Sequence, residues 1–339
     1  MRFRPLAAVI TILALAFVVL IATRVAAFVK IFGAHSGQAL TQEEVEIAYN
    51  RSTTDPAASP LRQEFVPKII HQIFHNWKDP ENETLPADWE ATRQTCTSRN
   101  PGFEYRLWTE RASLQFIATN YEWFLPTYEG YQYPVQRVDA LRYFLMRHYG
   151  GIYIDLDNGC SRDLLPLLHY PAWVTDGGQG ALSNNILGAR PGHGYWIKMT
   201  DSLIPWGYKY PLPYLSISYA SGQWFETAIW EEYHAQLPSE ANEEDRLYRI
   251  MMDMRDGAAR WVFFTQGRGG SWDNWDNHFF GWIGNRLVPE VGKHLASIVI
   301  GTVAFAGLVW FAARRGCFRS KKGYRKLPTT ASNEEHEMV

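Results

Sequence analysis

"PVQRVDALRYFLMRHYGGIYIDLDNGC", residues 134–160, decides how the rest of the chain is read. Pro134 suits the start of a helix, because its φ is already helical and its missing N–H is one that a first turn leaves unbonded. Val138, Leu141, Leu145 and then His148 or Tyr149 recur at helical spacing, and Gly150-Gly151 ends the run. The apolar "IYIDL" that follows at once reads as a strand. Side chains two apart on an extended strand share a face, so Asp155 and Asp157 converge on one cation if the chain stays extended through Leu156. Hard divalent ions take such oxygen ligands, and Mg²⁺ or Mn²⁺ held by one or two carboxylates completes its shell with phosphate oxygens. Asp139 and Arg142, three apart on the preceding helix, share a face that the glycine turn folds back toward the same place. The plainer readings are a turn at Asp157-Asn158-Gly159 and an ion pair on a solvated helix surface.

Outward from that block, "KIIHQIF" (68–74) reads as a buried first strand and "FEYRLW" (103–108) as a second, after the turn Asn100-Pro101-Gly102. Helices are expected near 85–96, from Thr109 to about Asn120, near 194–203 and near 222–234, with strands near 181–187 and at "RWVFF" (260–264). Strands alternating with helices predict an α/β domain with a mixed, largely parallel sheet. Residues 33–66 are polar and punctuated by Gly, Ser and Pro, which reads as a stalk with one helical turn near 43–49.

Two uncharged apolar runs frame this domain. Leu6–Thr23 spans 18 residues and Leu295–Ala313 spans 19, each close to the roughly 20 needed to cross a bilayer core. They predict N- and C-terminal transmembrane helices, and hence a division into a span (1–32), a stalk (33–66), a catalytic domain (67–290), a second span (293–315) and a tail (316–339). Arg314, Arg315, Arg319, Lys321, Lys322, Arg325 and Lys326 put the tail in the cytosol and the domain in the lumen. The first run read as a signal peptide leads to the same lumenal domain. Asn82-Glu83-Thr84 and Asn50-Arg51-Ser52 then match glycosylation acceptors, Cys96 and Cys160 are free to pair, and Cys317 lies where palmitoylation occurs. With 46% apolar residues over 339 positions the chain can bury a large core. A net charge of −2 excludes a nucleic-acid partner, because a phosphate-binding face leaves a basic signature.

"RVDALRYFLMRHYGGIYIDLD" resembles the sugar-binding region containing a DXD motif that marks glycosyltransferase family 32, and "PKIIHQIF" resembles that family's first strand. Within it, "SNNILGARPGHGYW" (183–196), "SGQWFETAIWEEY" (221–233) and a Ser-Trp block at 271–272 resemble fungal mannosyl-inositol-phosphorylceramide synthase catalytic subunits. The resemblance implies a GT-A-type nucleotide-sugar-binding fold, Mn²⁺ (or Mg²⁺), a GDP-mannose donor and an inositol phosphorylceramide acceptor. It also implies a regulatory membrane subunit, while the short spans favour a thin internal membrane, Golgi or ER, and an acceptor drawn from the bilayer predicts contact with membrane lipid. Carried over by position, Asp155 and Asp157 handle metal and donor, while Asp139 and Arg142 hold the sugar and its phosphate. Tyr153 lines the donor pocket, His71 to His75 lie against the nucleotide, Phe74 stacks on the base, and Asn184 and Asn185 bond the hexose. "SWDNWD" places Asp273 where the family's histidine is expected as a late metal ligand, and "SGQWF" puts Gln223 and Trp224, with Trp272, toward the acceptor. The aromatic stretch Trp206–Phe225 is expected to face a lipid leaflet. Two alternatives stand beside this reading: an α-mannosyltransferase of protein-linked glycans, and a membrane-anchored subunit without catalysis.

Overall fold

The computed structural model describes residues 3–55, 61, 63–178, 180–238, 240–253, 257–266 and 275–282. The chain forms two compact units, Met1–Asn274 and Trp275–Val339. In the second unit the described residues form one helix, Trp275–Trp282.

The first unit is built on a seven-stranded sheet. β1 (Gln38–Thr41), β2 (Ile69–Phe74), β3 (Glu104–Thr109), β4 (Gly151–Ile154), β6 (Ala172–Asp176), β7 (Ser183–Ala189) and β8 (Tyr248–Met251) lie in the order β1-β8-β6-β7-β4-β2-β3. Every neighbouring pair is parallel except those of β7, which runs antiparallel to both β4 and β6. A short β5 (Asn158–Cys160) pairs apart with β9 (Phe264–Gln266). This mixed, mostly parallel α/β arrangement fits the GT-A-type expectation, with α6 (Pro134–His148) leading straight into β4.

Alternation along β4 divides the core. Ile152 and Ile154 point into one apolar cluster with Ile70, Ile186 and Trp173, while Tyr153 joins the other with Leu141, Phe144, Trp196 and Trp230. That is the period-two signature of a strand buried on both faces. The helix-to-strand turn needs both its glycines. Gly150 and Gly151 sit at φ +63° and +85°, and a Cβ on Gly151 would lie 2.7 Å from the Ile69 carbonyl oxygen. His71 pins the turn from below, its Nε2 3.0 Å from the Gly150 carbonyl oxygen and its Nδ1 accepting from Trp108 Nε1 at 3.0 Å.

Three expectations change. Among the described residues no helix is long and apolar enough to cross a membrane, which corrects the flanking transmembrane helices. The run Leu6–Thr23 does lie in a helix, α1 (Phe3–Lys30), in which Arg24 and Lys30 follow it. The second run, 295–313, lies outside the described residues. The stretch read as a stalk is folded in: β1 takes the sheet edge beside β8, and α2 (Gln42–Thr54) starts at a Thr41–Glu44 capping box. Gln42 is fully buried, accepting from the Val262 and Phe263 amides at 2.9 and 2.8 Å. Finally, the late strand is only Phe264–Gln266, shorter and later than 260–264.

Candidate active site

A cavity of about 220 Å³ opens where β2 and β4 end. Ligands collect at the carboxyl ends of strands in such sheets. Its wall takes Asp139 and Arg142 from α6, Tyr153, Asp155 and Asp157 from β4 and the turn after it, and Asn184 and Asn185 from β7. Gln223, at the first position of α9 (Gln223–Gln236), closes another side.

The chain does not remain extended through Leu156. β4 stops at Ile154, and the Asn158 amide donates to the Asp155 carbonyl at 2.9 Å, closing a turn. The two aspartates therefore meet through a turn rather than along a strand face, and both still line the cavity. Asn185 holds the turn, its carbonyl accepting from the Asp155 amide at 2.8 Å and its Nδ2 donating to Asn158 Oδ1 at 3.1 Å. Its Oδ1 accepts from Thr175 and Ser183 hydroxyls at 2.8 and 2.7 Å, so this amide is a scaffold facing the cavity.

Asp139 and Arg142 are each 4% exposed, which rules out a solvated surface pair. The guanidinium lies 3.3 Å from Asp139 and 3.2 Å from Asp155, donates to the Asn184 carbonyl at 2.6 Å, and sits over the Tyr153 ring at 4.8 Å. Burial works against its charge, and Asp155, Tyr153 and Asp139 together outweigh that, so it is held firmly protonated. Tyr153 donates its hydroxyl to Asp155. Asp139 also accepts from Ser221 Oγ and Asn184 Nδ2, both at 3.0 Å, yet burial pushes its carboxyl up to about 6. Burial, with the charge of Asp155, pushes Asp157 up to about 6. Three carboxylates thus face one guanidinium. That imbalance favours an added cation, and Asp155 with Asp157 offers the hard oxygen donors a divalent ion takes.

The expected donor-side residues divide. Tyr153, Asn184 and Asn185 line the cavity; His71 and Phe74 do not. His71 is fully buried and spent on Gly150 and Trp108, with its pKa lowered by burial to about 3. Phe74, 5% exposed, packs edge-on against Trp89 at 6.0 Å, and it is Trp89, His75 and Trp77 that line the wall. On the acceptor side Gln223 lines the cavity, whereas Trp224 is buried among Phe28, Phe32, Tyr214 and Tyr219. Phe225 is fully buried as well, while Tyr208 in the same aromatic stretch is 65% exposed. Trp272 and Asp273 lie outside the described residues. Cys96 and Cys160 are bonded, which ties α3 (Ala87–Arg99), the helix of Trp89, to the strand beyond the DXD turn.

Sequence reasoning passed over Ser221, Tyr143 and Glu226. Tyr143 donates to the Ser221 carbonyl at 2.7 Å and accepts from Asn184 at 3.0 Å, bracing both partners of Asp139. Glu226 is fully buried with neither carboxylate oxygen hydrogen-bonded among the described residues, and burial pushes it up to about 8. Its one sequence signal is Trp230, four residues on along the same helical face.

Residues 86–173 match the model of the glycosyltransferase sugar-binding region containing a DXD motif. The chain is 37% identical to inositol phosphoceramide mannosyltransferase 2 of Schizosaccharomyces pombe over 74% of its own length and 67% of that protein's. It is 34% identical to mannosyl phosphorylinositol ceramide synthase CSH1 of Saccharomyces cerevisiae over 85% of its own length and 73% of that one's. The chain belongs to this family of DXD glycosyltransferases. Against inositol phosphoceramide mannosyltransferase 3 of S. pombe it is 38% identical, over 63% of this chain and 58% of the relative. The solved PaToxG glycosyltransferase is similar at 16% identity and a TM-score of 0.36, over 56% of this chain and 75% of that one, too remote to carry an argument. As a DXD glycosyltransferase the chain is an enzyme of a family that generally uses a divalent metal, and Asp155 and Asp157 are its DXD carboxylates.

Proposed function

We propose that this glycosyltransferase moves mannose from GDP-mannose to the inositol of inositol phosphorylceramide, with retention of configuration and with Mn²⁺ as the metal. The observation that carries this reading is the pairing of relatives named for that reaction with a cavity in which Asp155, Asp157 and Arg142 converge. Asp155 and Asp157 would hold the ion, which supplies a Lewis acid against the charge of a leaving diphosphate. Arg142 is a fixed positive charge beside the same place, preorganised by Asp139, Asp155 and the Asn184 carbonyl, and needs no reorganisation when negative charge develops. Asp139, with one oxygen toward Ser221 and the other toward Asn184, is oriented to accept from hexose hydroxyls at the cavity wall. Gln223, exposed at the rim, is placed for the acceptor.

The bonded Cys96 and Cys160 support an oxidising compartment, in keeping with a Golgi or ER lumenal location. A regulatory membrane subunit rests on the resemblance alone. The test incubates purified protein with a panel of nucleotide sugars and inositol phospholipids, with and without Mn²⁺. Mannosylated inositol phosphorylceramide formed only with GDP-mannose and metal, and lost in a folded Asp157→Asn variant, is the expected result. Transfer to a protein-linked glycan instead, or full activity in Asp157→Asn, overturns the reading.

A further inference from the structure

The aromatic wall of the cavity carries two polar atoms without partners among the described residues. His75 is 8% exposed and lines the cavity beside Trp77 and Trp89. Its Nε2 lies 3.0 Å from Ser113 Oγ. Ser113 has one hydroxyl proton and donates it to the Thr109 carbonyl at 2.6 Å, so toward His75 that oxygen can only accept. Nε2 therefore carries the ring's proton, and Nδ1 is left with a lone pair. Burial first, then Arg137, lowers the ring's pKa to about 3, so no second proton occupies Nδ1 at neutral pH. That Nδ1 is buried and has no hydrogen-bond partner among the described residues, and the same is true of the indole N–H of Trp77 two residues on. A buried acceptor and a buried donor on one cavity wall await a ligand edge that offers the reverse pair.

We infer that His75 Nδ1 and Trp77 Nε1 read the hydrogen-bonding edge of the donor's nucleobase, His75 accepting from a ring or exocyclic N–H and Trp77 donating to an acceptor on the same edge. The inference rests on the nucleotide-sugar reading above and assigns the base to the Trp77–Trp89 side. The part of the lining made by Asp139, Arg142 and Asn184 suits hydroxyls and charge. The Trp77–Trp89 wall offers flat apolar faces on which a base stacks. Guanine suits the pair, because N1–H and the 2-amino group donate while O6 accepts. Sequence alone pointed to Phe74 for this task, but that ring is turned into the core.

The test uses the full-length protein and two replacements that divide the imidazole's functions. His75→Gln keeps a donor at the Nε2 position for Ser113 and removes the acceptor at Nδ1. His75→Asn does the opposite. Titration calorimetry with GDP, IDP and UDP in the presence of Mn²⁺ gives affinities, and GDP-mannose turnover gives kcat and KM. We expect GDP affinity to fall about ten- to a hundredfold in His75→Gln, with KM rising and kcat unchanged, because a buried acceptor contact is lost far from the reacting bond. His75→Asn should stay within about threefold of wild type, and Trp77→Phe should weaken GDP without altering His75. Loss of discrimination between GDP and IDP in His75→Gln would place the contact at the 2-amino group; retained discrimination with weaker binding would place it at N1–H. Equal affinities in wild type and His75→Gln overturn the inference, as do equal losses in the Gln and Asn variants, which signal a packing role. If wild type prefers UDP, the GDP-mannose reading fails while His75 is judged on UDP by the same variants. If it binds no nucleoside diphosphate, both fall.

Discussion

Glu226→Gln tests the electrostatics behind the site most directly. The carboxyl is fully buried on α9, has no hydrogen-bond partner among the described residues and is pushed up by burial to about 8 from an ordinary 4.5. A carboxyl raised in the folded state binds its proton more tightly there than in the unfolded chain. Its effect on stability is therefore neutral below the unfolded pKa and turns unfavourable as pH climbs from about 4.5 to about 8. Integrating that single titration between pH 6 and pH 8 gives a loss of about 2 kcal/mol, at 1.36 kcal/mol per unit of separation. Asp139 and Asp157 act in the same direction, but their folded values of about 6 confine their contribution mostly to lower pH. His35, raised by Glu231 and Gly180 against the effect of burial, also destabilises as pH rises through its range. The decisive quantity is thus a difference between proteins. Chemical denaturation of wild type and Glu226→Gln at pH 6, 7 and 8 should show the wild type losing about 2 kcal/mol more than the variant over that span. Parallel pH profiles would refute the assignment and mean that Glu226 finds a partner in solution.

Three further outcomes follow from the geometry. Ser221→Ala removes one of the hydrogen bonds that favour ionised Asp139, so stability should fall by about 1 kcal/mol and the acid limb of the pH–rate profile should move upward; an unmoved limb would show that Asp139's charge is irrelevant to turnover. Cys96→Ser together with Cys160→Ser opens a loop of sequence separation 64, and loop-closure entropy puts the cost at about 4 kcal/mol, measurable by denaturation of oxidised wild type against the variant. Gly188→Ala sets a Cβ 2.1 Å from Cε2 of the buried Trp173, so it should fail to accumulate as folded protein, whereas the same change at Gly192, where nothing lies within 4 Å but φ is +67°, should yield folded protein at a cost of about 1 kcal/mol.

What could be read from the sequence followed local rules. Pro134, the helical spacing and two glycines gave α6, its end and β4, because each of those signals acts within a few residues. The cavity's charged members fell out with them, since Asp139, Arg142, Asp155 and Asp157 all lie in that one block. Long-range pairing was not legible. Gln38–Thr41 becomes a strand only because Tyr248–Met251 lies alongside it, and four residues of mixed polarity carry no such instruction. His71 and Phe74 were misplaced for a related reason. β2 is buried on both faces, so alternation does not say which side chains reach its end, and the cavity is lined from the residues beyond, His75 and Trp77. Glu226 was missed because a single acid on a helix reads as solvated unless the helix is known to be buried.

The reversed strand explains how one block of sequence becomes a site. In a fully parallel sheet, every strand delivers its last residues to the ligand edge, and its first residues to the opposite edge. β7 runs against β4, with Ile186 opposite Ile154, so its first residues stand beside the last residues of β4. Ser183, Asn184 and Asn185 thereby reach the DXD turn, and the Asn185 carbonyl receives the Asp155 amide at 2.8 Å. The same reversal turns the Asn184 carbonyl toward Arg142 at 2.6 Å, giving the guanidinium a neutral acceptor between its two carboxylates. Arg142 is therefore fixed from three elements at once, α6, the DXD turn and β7. A replacement by Lys would keep the charge but could not span Asp139, Asp155 and Asn184 together, because an ammonium is a compact point charge while the guanidinium is a planar fork. Arg142→Lys should accordingly leave a folded protein with turnover reduced by about a hundredfold or more, and activity near wild type would mean that positive charge alone, without its orientation, is what the site requires.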